Sequence, residues 1–234
     1  MTIASNFAAI RDRIARAALR AGRNPGDVAL MAVSKTQSAA SIIEAFYAGQ
    51  RLFGENRVQE FADKFPLLGD LKDAEFHMIG HLQSNKTAKA AEIFHAVDSI
   101  DSAKLAQRLN DAAQKLGRTL DILIEINIGG EKAKSGIAPD DPELESILTQ
   151  APGWPHLRVR GLMTVPPFTE DPEGARPYFR KLRELRDQLA ARHLPSVNLD
   201  VLSMGMSHDF EVATEEGSTR VRIGTAIFGT RDTP

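Results

Sequence analysis

Hydrophobic positions along the chain switch repeatedly between helical and strand spacing. Phe7, Ile10, Ile14, Ala17 and Ala21 recur at three- and four-residue intervals, which predicts an amphipathic helix over about 6–21 with Ser5 as its N-cap. Gly22 and Pro25 close that helix. The apolar run 28–33 is too short for a core helix and reads as a strand. The same alternation continues with strands at 51–54, 75–79, 94–97, 120–127, 157–163, 198–203 and 219–223. Between them lie helical stretches near 38–48, 56–65, 85–92, 101–116, 141–150 and 209–216, and one helix that runs to about 192. In 101–116, Leu105, Leu109, Ala112 and Leu116 share a face, and Gly117 suits the C′ position. In the helix ending near 192, Phe179, Leu182, Leu185 and Leu189 face inward.

Eight strands, each followed by a helix or a helix-like segment, require a parallel sheet, because parallel strands are joined by crossovers. Eight such units in 234 residues predict one closed (β/α)8 barrel of the TIM type, with the whole chain, 1–234, as a single domain. The alternative is an open doubly wound sheet. No GxGxxG or GxxxxGK[ST] pattern follows any strand, which counts against it.

Composition narrows the function classes. Hydrophobic residues make up 42% of the chain, enough for a large core, and the 26% charged residues leave a net charge of −2. That balance supplies no bulk attraction to nucleic acid or to an anionic membrane. The absence of cysteine excludes disulfides, thiolate catalysis and cysteine–zinc sites, and fits a reducing compartment. Arg11, Asp12, Arg13, Arg16 and Arg20 interrupt any signal-peptide core, and no run approaches the roughly 18 apolar residues of a membrane span. The expectation is a soluble cytoplasmic protein and, with no long exposed apolar stripe, a monomer.

In a (β/α)8 barrel the binding site forms at the C-terminal ends of the strands. Here those ends carry Ser34-Lys35-Thr36, Gly54-Glu55-Asn56, Gly80-His81, Asn127, the segment 203–207, and Gly224-Thr225. Met31, Val33 and Lys35 share strand parity, so an inward face would bring the Lys35 amine to the mouth of a partly dry cavity. There desolvation favours the neutral, nucleophilic amine. Loops after strands seven and eight commonly bind phosphate in this fold; glycines let backbone N–H groups approach, and Ser207, Gly224 and Thr225 fit that role. Arg222 shares parity with Gly224 and needs an acceptor partner if it is buried, whereas Arg220, one layer deeper, suits a structural ion pair equally well. Glu125 and Asn127 share parity on strand five; Asn127 is a candidate pocket residue and Glu125 a partner for an inward arginine. His77 and His81 stand four apart without an HExxH pattern, an incomplete ligand set for a metal. Lys86, Lys89, Lys132 and Lys134 form small basic clusters.

Seven segments of this chain resemble the pyridoxal phosphate (PLP) homeostasis protein family. They are Ala-Val-Ser-Lys-Thr at 32–36, Phe-Gly-Glu-Asn-Arg-Val-Gln-Glu at 53–60, and His-Met-Ile-Gly-His-Leu-Gln-Ser-Asn-Lys at 77–86. Lys-Ser-Gly-Ile at 134–137, Gly-Leu-Met at 161–163, Leu-Ser-Met-Gly-Met-Ser at 202–207 and Val-Arg-Ile-Gly-Thr-Ala-Ile-Phe-Gly at 221–229 complete the set, in order and over nearly the whole chain. The resemblance implies a barrel like the N-terminal domain of alanine racemase and PLP held as an internal aldimine on Lys35. It implies phosphate contacts from Ser207, Gly224 and Thr225 with Met204 in the same loop, Arg222 near the pyridine nitrogen and Asn56 near the ring substituents. His81 stands where many family members carry proline. The implied role is buffering or delivery of PLP, with apo PLP-dependent enzymes as partners.

Catalysis is not evident from these residues. An arginine beside the ring nitrogen opposes its protonation and makes a poor electron sink. Racemization needs a second proton carrier; the only tyrosines, Tyr47 and Tyr178, fall on predicted outer helices, and the chain ends too soon after the last strand for an added β-domain. A weak PLP-dependent amino-acid racemase is the alternative reading. A lysine-dependent aldolase acting on a phosphorylated sugar is the third, and a bound chromophore would exclude it.

Overall fold

The computed structural model describes residues 2–69, 71–131 and 134–229. Eight strands close into a barrel in chain order, every neighbouring pair parallel, with the last strand returning to the first. They are β1 (Ala29–Val33), β2 (Leu52–Glu55), β3 (Glu75–Met78), β4 (Ala96–Ile100), β5 (Leu120–Glu125), β6 (Leu157–Met163), β7 (Val197–Ser203) and β8 (Arg220–Ile223). Around them run α1 (Ile3–Arg20), α2 (Ala39–Tyr47), α3 (Val58–Lys64), α4 (Thr87–Ile93), α5 (Ala103–Lys115), α6 (Pro142–Gln150), α7 (Arg176–Ala190), α8 (Phe210–Glu215) and the single turn α9 (Thr225–Phe228). Closure rules out the open doubly wound sheet.

Strand parity divides the molecule into two cores. Ala32, Phe53, Phe76, Val97 and Ile223 point outward into one continuous apolar cluster with the helices. Within it Phe61 of α3 packs on Phe76 and on Phe94, each with ring centroids 4.8 Å apart, which seats α3 on β2 and β3. Burying each such ring contributes about 2–3 kcal/mol. The alternate residues fill the barrel. Val33 pairs in register with Gly54, Gly54 with His77, and His77 with Ala96. On the other side Met163 pairs with Ser203, Ser203 with Arg220, and Arg222 with Met31. Gly54 is required inside, because a Cβ there would come within 2.8 Å of the Met31 sulfur.

Helix ends correct three details of the pattern. Thr2, not Ser5, caps α1: its side chain accepts the Ser5 N–H at 3.2 Å. Thr2 stands three residues before the N–H that it accepts, one of the two spacings an N-cap uses, and the helical turn begins at Ile3, ahead of the first apolar residue of the pattern. Ala21 and Leu116 follow the apolar spacing of α1 and α5 but sit at their C-caps, where the backbone leaves the helix, and both are exposed. Gly22 (φ +68°) and Gly117 (φ +61°) take the left-handed conformation that ends each helix. No helix among the described residues is long and apolar enough to cross a membrane.

Candidate functional site

The C-terminal strand ends gather the polar residues of the inner face. At the end of β1, Ser34 to Gln37 form a turn closed by the Gln37 N–H donating to the Ser34 carbonyl at 3.0 Å. Lys35 is half-buried in this turn. On the next strand Asn56 lies two residues past Gly54, as Lys35 lies two past Val33, so the Val33–Gly54 register carries Lys35 and Asn56 to neighbouring points on the rim. Asn56 Oδ1 is buried without a hydrogen-bond partner among the described residues. Gly80, after β3, allows the close approach behind it, since a Cβ at Gly80 would lie 2.3 Å from the Asn56 carbonyl oxygen. A cleft of about 420 Å³ opens here, lined by Asn56, Arg57, Met78, Gly80, His81 and Lys86 among others.

The loops after β7 and β8 come up beside β1. Gly205 adopts φ +94°, and a Cβ there would meet the Ala213 Cβ at 2.5 Å, so conformation and packing both demand glycine. The loop is pinned from both sides: Arg222 N–H donates to the Gly205 carbonyl at 2.9 Å, and the Met206 N–H donates to Asp209 Oδ1 at 2.6 Å. Burial pushes the Asp209 carboxyl above its usual range. The N–H groups of Ser207 and His208 donate to no acceptor among the described residues. Gly224 sits against the end of β1, where a Cβ would be 3.3 Å from the Val33 carbonyl oxygen, and it precedes the turn of α9 that begins at Thr225. Ser207, Gly224 and Thr225 therefore share the rim with the strand that leads into Lys35. Met204 corrects the sequence reading. Its side chain is fully buried in the outer apolar cluster, so this residue offers the mouth only backbone, and its N–H already donates to the Arg220 carbonyl.

Arg222 is buried, with one terminal nitrogen donating to the Ser203 carbonyl and Oγ at 2.7 and 2.8 Å and the other to the Thr164 carbonyl at 2.7 Å. Burial works against its charge, and the carboxylates of Asp98, Glu125 and Asp209 oppose that effect. Its anchors among the described residues are thus backbone and hydroxyl oxygens, not an ion-pair partner. Arg220 resolves as a structural residue: it donates to Asp98 Oδ2 at 3.0 Å, and Asp98 Oδ1 lies 3.1 Å from His77 Nδ1. Burial alone would lower the His77 pKa, but Asp98 and Glu75 raise it.

Glu125 also departs from expectation. It contacts no arginine among the described residues, and its Oε2 is buried without a partner. The chain 134–137 folds over it: the Ile137 N–H donates to the Glu125 carbonyl at 2.9 Å, and a Cβ on Gly136 would press on the Glu125 side chain at 3.1 Å. Burial pushes its pKa up to about 7. A carboxyl with a raised folded pKa stabilises the fold fully below its unfolded pKa and loses that contribution as pH rises through the folded value. Glu125→Gln is therefore expected to match the native chain near pH 4.5 but to exceed it at pH 8 by on the order of 2–3 kcal/mol in urea melts. Equal stability at pH 8 would show that Glu125 ionises without penalty.

Asn127, a candidate pocket residue, holds its own loop instead: its Nδ2 donates to the Glu131 carbonyl at 2.9 Å, and its Oδ1 accepts the Glu131 N–H at 3.2 Å. His77 lies inside the barrel, whereas His81 is exposed and 3.5 Å from Asp101, so the two do not converge. Among the described residues no three His, Asp or Glu side chains are grouped to hold a metal. Lys89 pairs with Glu92 at 3.1 Å, Lys134 donates to the Pro166 carbonyl at 2.9 Å, and Lys132 lies outside the described residues. Tyr47 is 80% exposed on α2, and Tyr178 packs on the outer core from α7. Sequence reasoning named Ser34, Glu55 and Ser203 only as strand-end residues, with no role, and missed Asp98 and Thr164; all five are fully or almost fully buried polar residues. Asp98 carried a signal, a charge embedded in an apolar run, but the strand was expected to stop at 97.

A closed parallel barrel with these rim residues has clear relatives. Residues 5–232 match the family described as alanine racemase, N-terminal domain, and the chain belongs to that family. A Clostridium difficile alanine racemase shares the fold at 15% identity, with a TM-score of 0.72 over 99% of this chain and 57% of its own. Within the family the chain falls among the pyridoxal phosphate homeostasis proteins. The relative of that name from Aquifex aeolicus is 45% identical over 231 residues, covering 99% of each chain. The structure of PipY from Synechococcus elongatus, solved with PLP bound, is 38% identical, with a TM-score of 0.85 over 97% of this chain and all of that one.

Proposed function

We propose that this barrel, acting as one domain, binds PLP and serves PLP homeostasis by buffering the cofactor or delivering it to apo PLP-dependent enzymes. The observation that carries the reading is the adjacency of an amine and a phosphate cradle: Gly224 abuts the end of β1, the strand that leads into Lys35. PLP supplies an aldehyde that condenses with a primary amine and releases water; Lys35 is the amine we assign. The residues fit the cofactor. The Ser207 and His208 N–H groups have no acceptor among the described residues, and Gly205 and Gly224 keep the rim open for phosphate oxygens, with the Ser207 and Thr225 hydroxyls as further donors. The orphaned Asn56 Oδ1 gains a partner from a donor on the ring.

Arg222 sets the chemistry. Its guanidinium is fixed by Ser203 and Thr164, and a fixed positive charge beside a ring nitrogen disfavours protonation there. The electron-withdrawing power that drives carbanion chemistry is then weak, and holding the cofactor is favoured over transforming a substrate. Both tyrosines lie on outer helices. The work of such a protein belongs in the cytoplasm, with its client enzymes.

The test is an absorption spectrum of purified protein with and without added PLP, before and after borohydride, followed by peptide mapping. A visible band that reduction removes, leaving an adduct on Lys35, supports the reading; no band after added PLP overturns it. Ser207→Ala is expected to weaken PLP retention by about 1.5–3 kcal/mol, the range for a hydrogen bond to a charged group. Unchanged affinity would remove Ser207 from the cradle.

A further inference from the structure

Behind the rim, on the opposite side of β1 and β2, lies a partly buried charged cluster that the cofactor reading does not use. Ser34 and Glu55 immediately precede Lys35 and Asn56, so alternation turns their side chains away from the barrel and toward α3. Ser34 Oγ donates to Glu55 Oε1 at 2.8 Å, and Lys64 Nζ donates to the same oxygen at 2.8 Å. Lys64 Nζ also donates to the Ser34 carbonyl at 3.2 Å and to Glu60 Oε1 at 3.3 Å. That Glu60 oxygen accepts the Thr36 N–H at 2.6 Å. The two α3 side chains, themselves paired, thus grip the backbone on both sides of Lys35: the carbonyl before it and the N–H after it.

The backbone they grip is strained. Thr36 is the third residue of the Ser34–Gln37 turn and has φ +63°. Lys35 is not at positive φ, so the turn follows the type II pattern, whose third position calls for glycine or asparagine. A β-branched residue there is a genuine outlier. Such a conformation persists only where its surroundings over-determine it. The relaxed alternative is type I, reached by rotating the peptide plane between residues 35 and 36, which redirects the chain at Lys35 itself. Glu60 opposes that rotation because its carboxylate accepts the N–H of the rotating peptide.

We infer that Glu60 and Lys64 are positioning residues for Lys35: from outside the barrel they lock the strained turn that presents the lysine amine to the rim. The inference rests on Lys35 being the attachment point proposed above. Glu55 completes the device by holding Lys64. It is wholly buried, which pushes its pKa up against the opposing influence of Lys64.

The experiment compares Glu60→Ala, Glu60→Gln and Glu60→Ala combined with Thr36→Gly. In PLP-free protein, hydrogen exchange of the Thr36 amide and competitive labelling of the Lys35 amine report the turn directly; PLP retention is measured separately, and circular dichroism and melting report the fold. Glu60→Ala removes the acceptor from a half-exposed site in the first turn of α3, so the barrel is expected to stay folded. Thr36 exchange should then rise and PLP retention fall, each by about tenfold, the factor that corresponds to releasing a strained residue. Glu60→Gln keeps an oxygen for the Thr36 N–H and should stay near the native chain. Thr36→Gly in the Glu60→Ala background should restore Lys35 labelling and PLP retention, because glycine takes positive φ without cost. Native-like Thr36 exchange in Glu60→Ala, or a retention loss that Thr36→Gly does not rescue, overturns the inference. Mapping of the adduct in the unaltered protein to another lysine would sink the attachment reading instead. The exchange and labelling measurements would still decide whether α3 locks the turn.

Discussion

Lys35→Ala is expected to abolish the borohydride-reducible attachment of PLP completely while leaving the barrel folded. The residue is half-buried in a turn after β1, not packed within the strand, so its truncation removes the nucleophile without opening a core cavity. The stability change should fall within about 0.5 kcal/mol, the usual span for sites away from the core. The phosphate cradle proposed at Ser207, Gly224 and Thr225 lies on the loops after β7 and β8 and does not include the lysine side chain. The variant should therefore retain weaker, non-covalent PLP binding without the visible band of the attached cofactor. A band of undiminished intensity in Lys35→Ala would remove Lys35 as the anchor and direct attention to the other lysines near the rim, Lys86 and Lys134. Loss of the fold together with the band would mean that the side chain's own contacts, not only its amine, matter to the turn.

Asp98→Ala should be the most damaging single truncation inside the barrel. Its carboxylate is 1% exposed and joins β3, β4 and β8 by accepting from Arg220 at 3.0 Å and lying 3.1 Å from His77 Nδ1. Burial pushes the Asp98 pKa up, but His77 and Arg220 outweigh that effect and hold it below its usual value. Removing the carboxylate leaves the Arg220 charge in the barrel without its counter-ion, while the Arg220 Nε already has no partner among the described residues. Breaking one side of such a buried pair costs about 3–5 kcal/mol. Denaturant melts should show the loss with an unchanged slope, and Asp98→Asn, which keeps an acceptor, should lose less. A loss under about 1 kcal/mol would mean that water or a rearranged Arg220 replaces the carboxylate. Because the network sits one layer below Arg222, a second consequence is expected in PLP retention, through tilting of β8 and its Gly224 rim.

Much of this molecule is written in local spacing. The alternation of strand and helix patterns, the glycines that end α1 and α5, and the rule that a barrel binds at its strand ends led from residues alone to Lys35, Ser207, Arg222, Gly224 and Thr225, and the family resemblance added Asn56. Parity also separated Arg220 and Arg222 from their outward neighbours. These features depend on residues close in sequence, where backbone geometry fixes the period. Element ends were less legible, as Ala21 and Leu116 show: apolar spacing continues past the point where the hydrogen-bonded helix stops.

What the sequence by itself determined is therefore the order of elements, the class of barrel and the rim residues that meet at its mouth. Only the tertiary structure decided which buried charges answer one another. Arg220 on β8 is met by Asp98 on β4, Arg222 by the Ser203 and Thr164 oxygens, and Glu125 by no arginine among the described residues. Met204 and Asn127, which occupy rim loops, turned out to face the core and their own loop. The physical reason is that closure brings together strands more than a hundred residues apart in the chain for β4 and β8 (|i−j| = 122 for Asp98 and Arg220). Desolvation then forces each charge to take whatever partner the fold supplies.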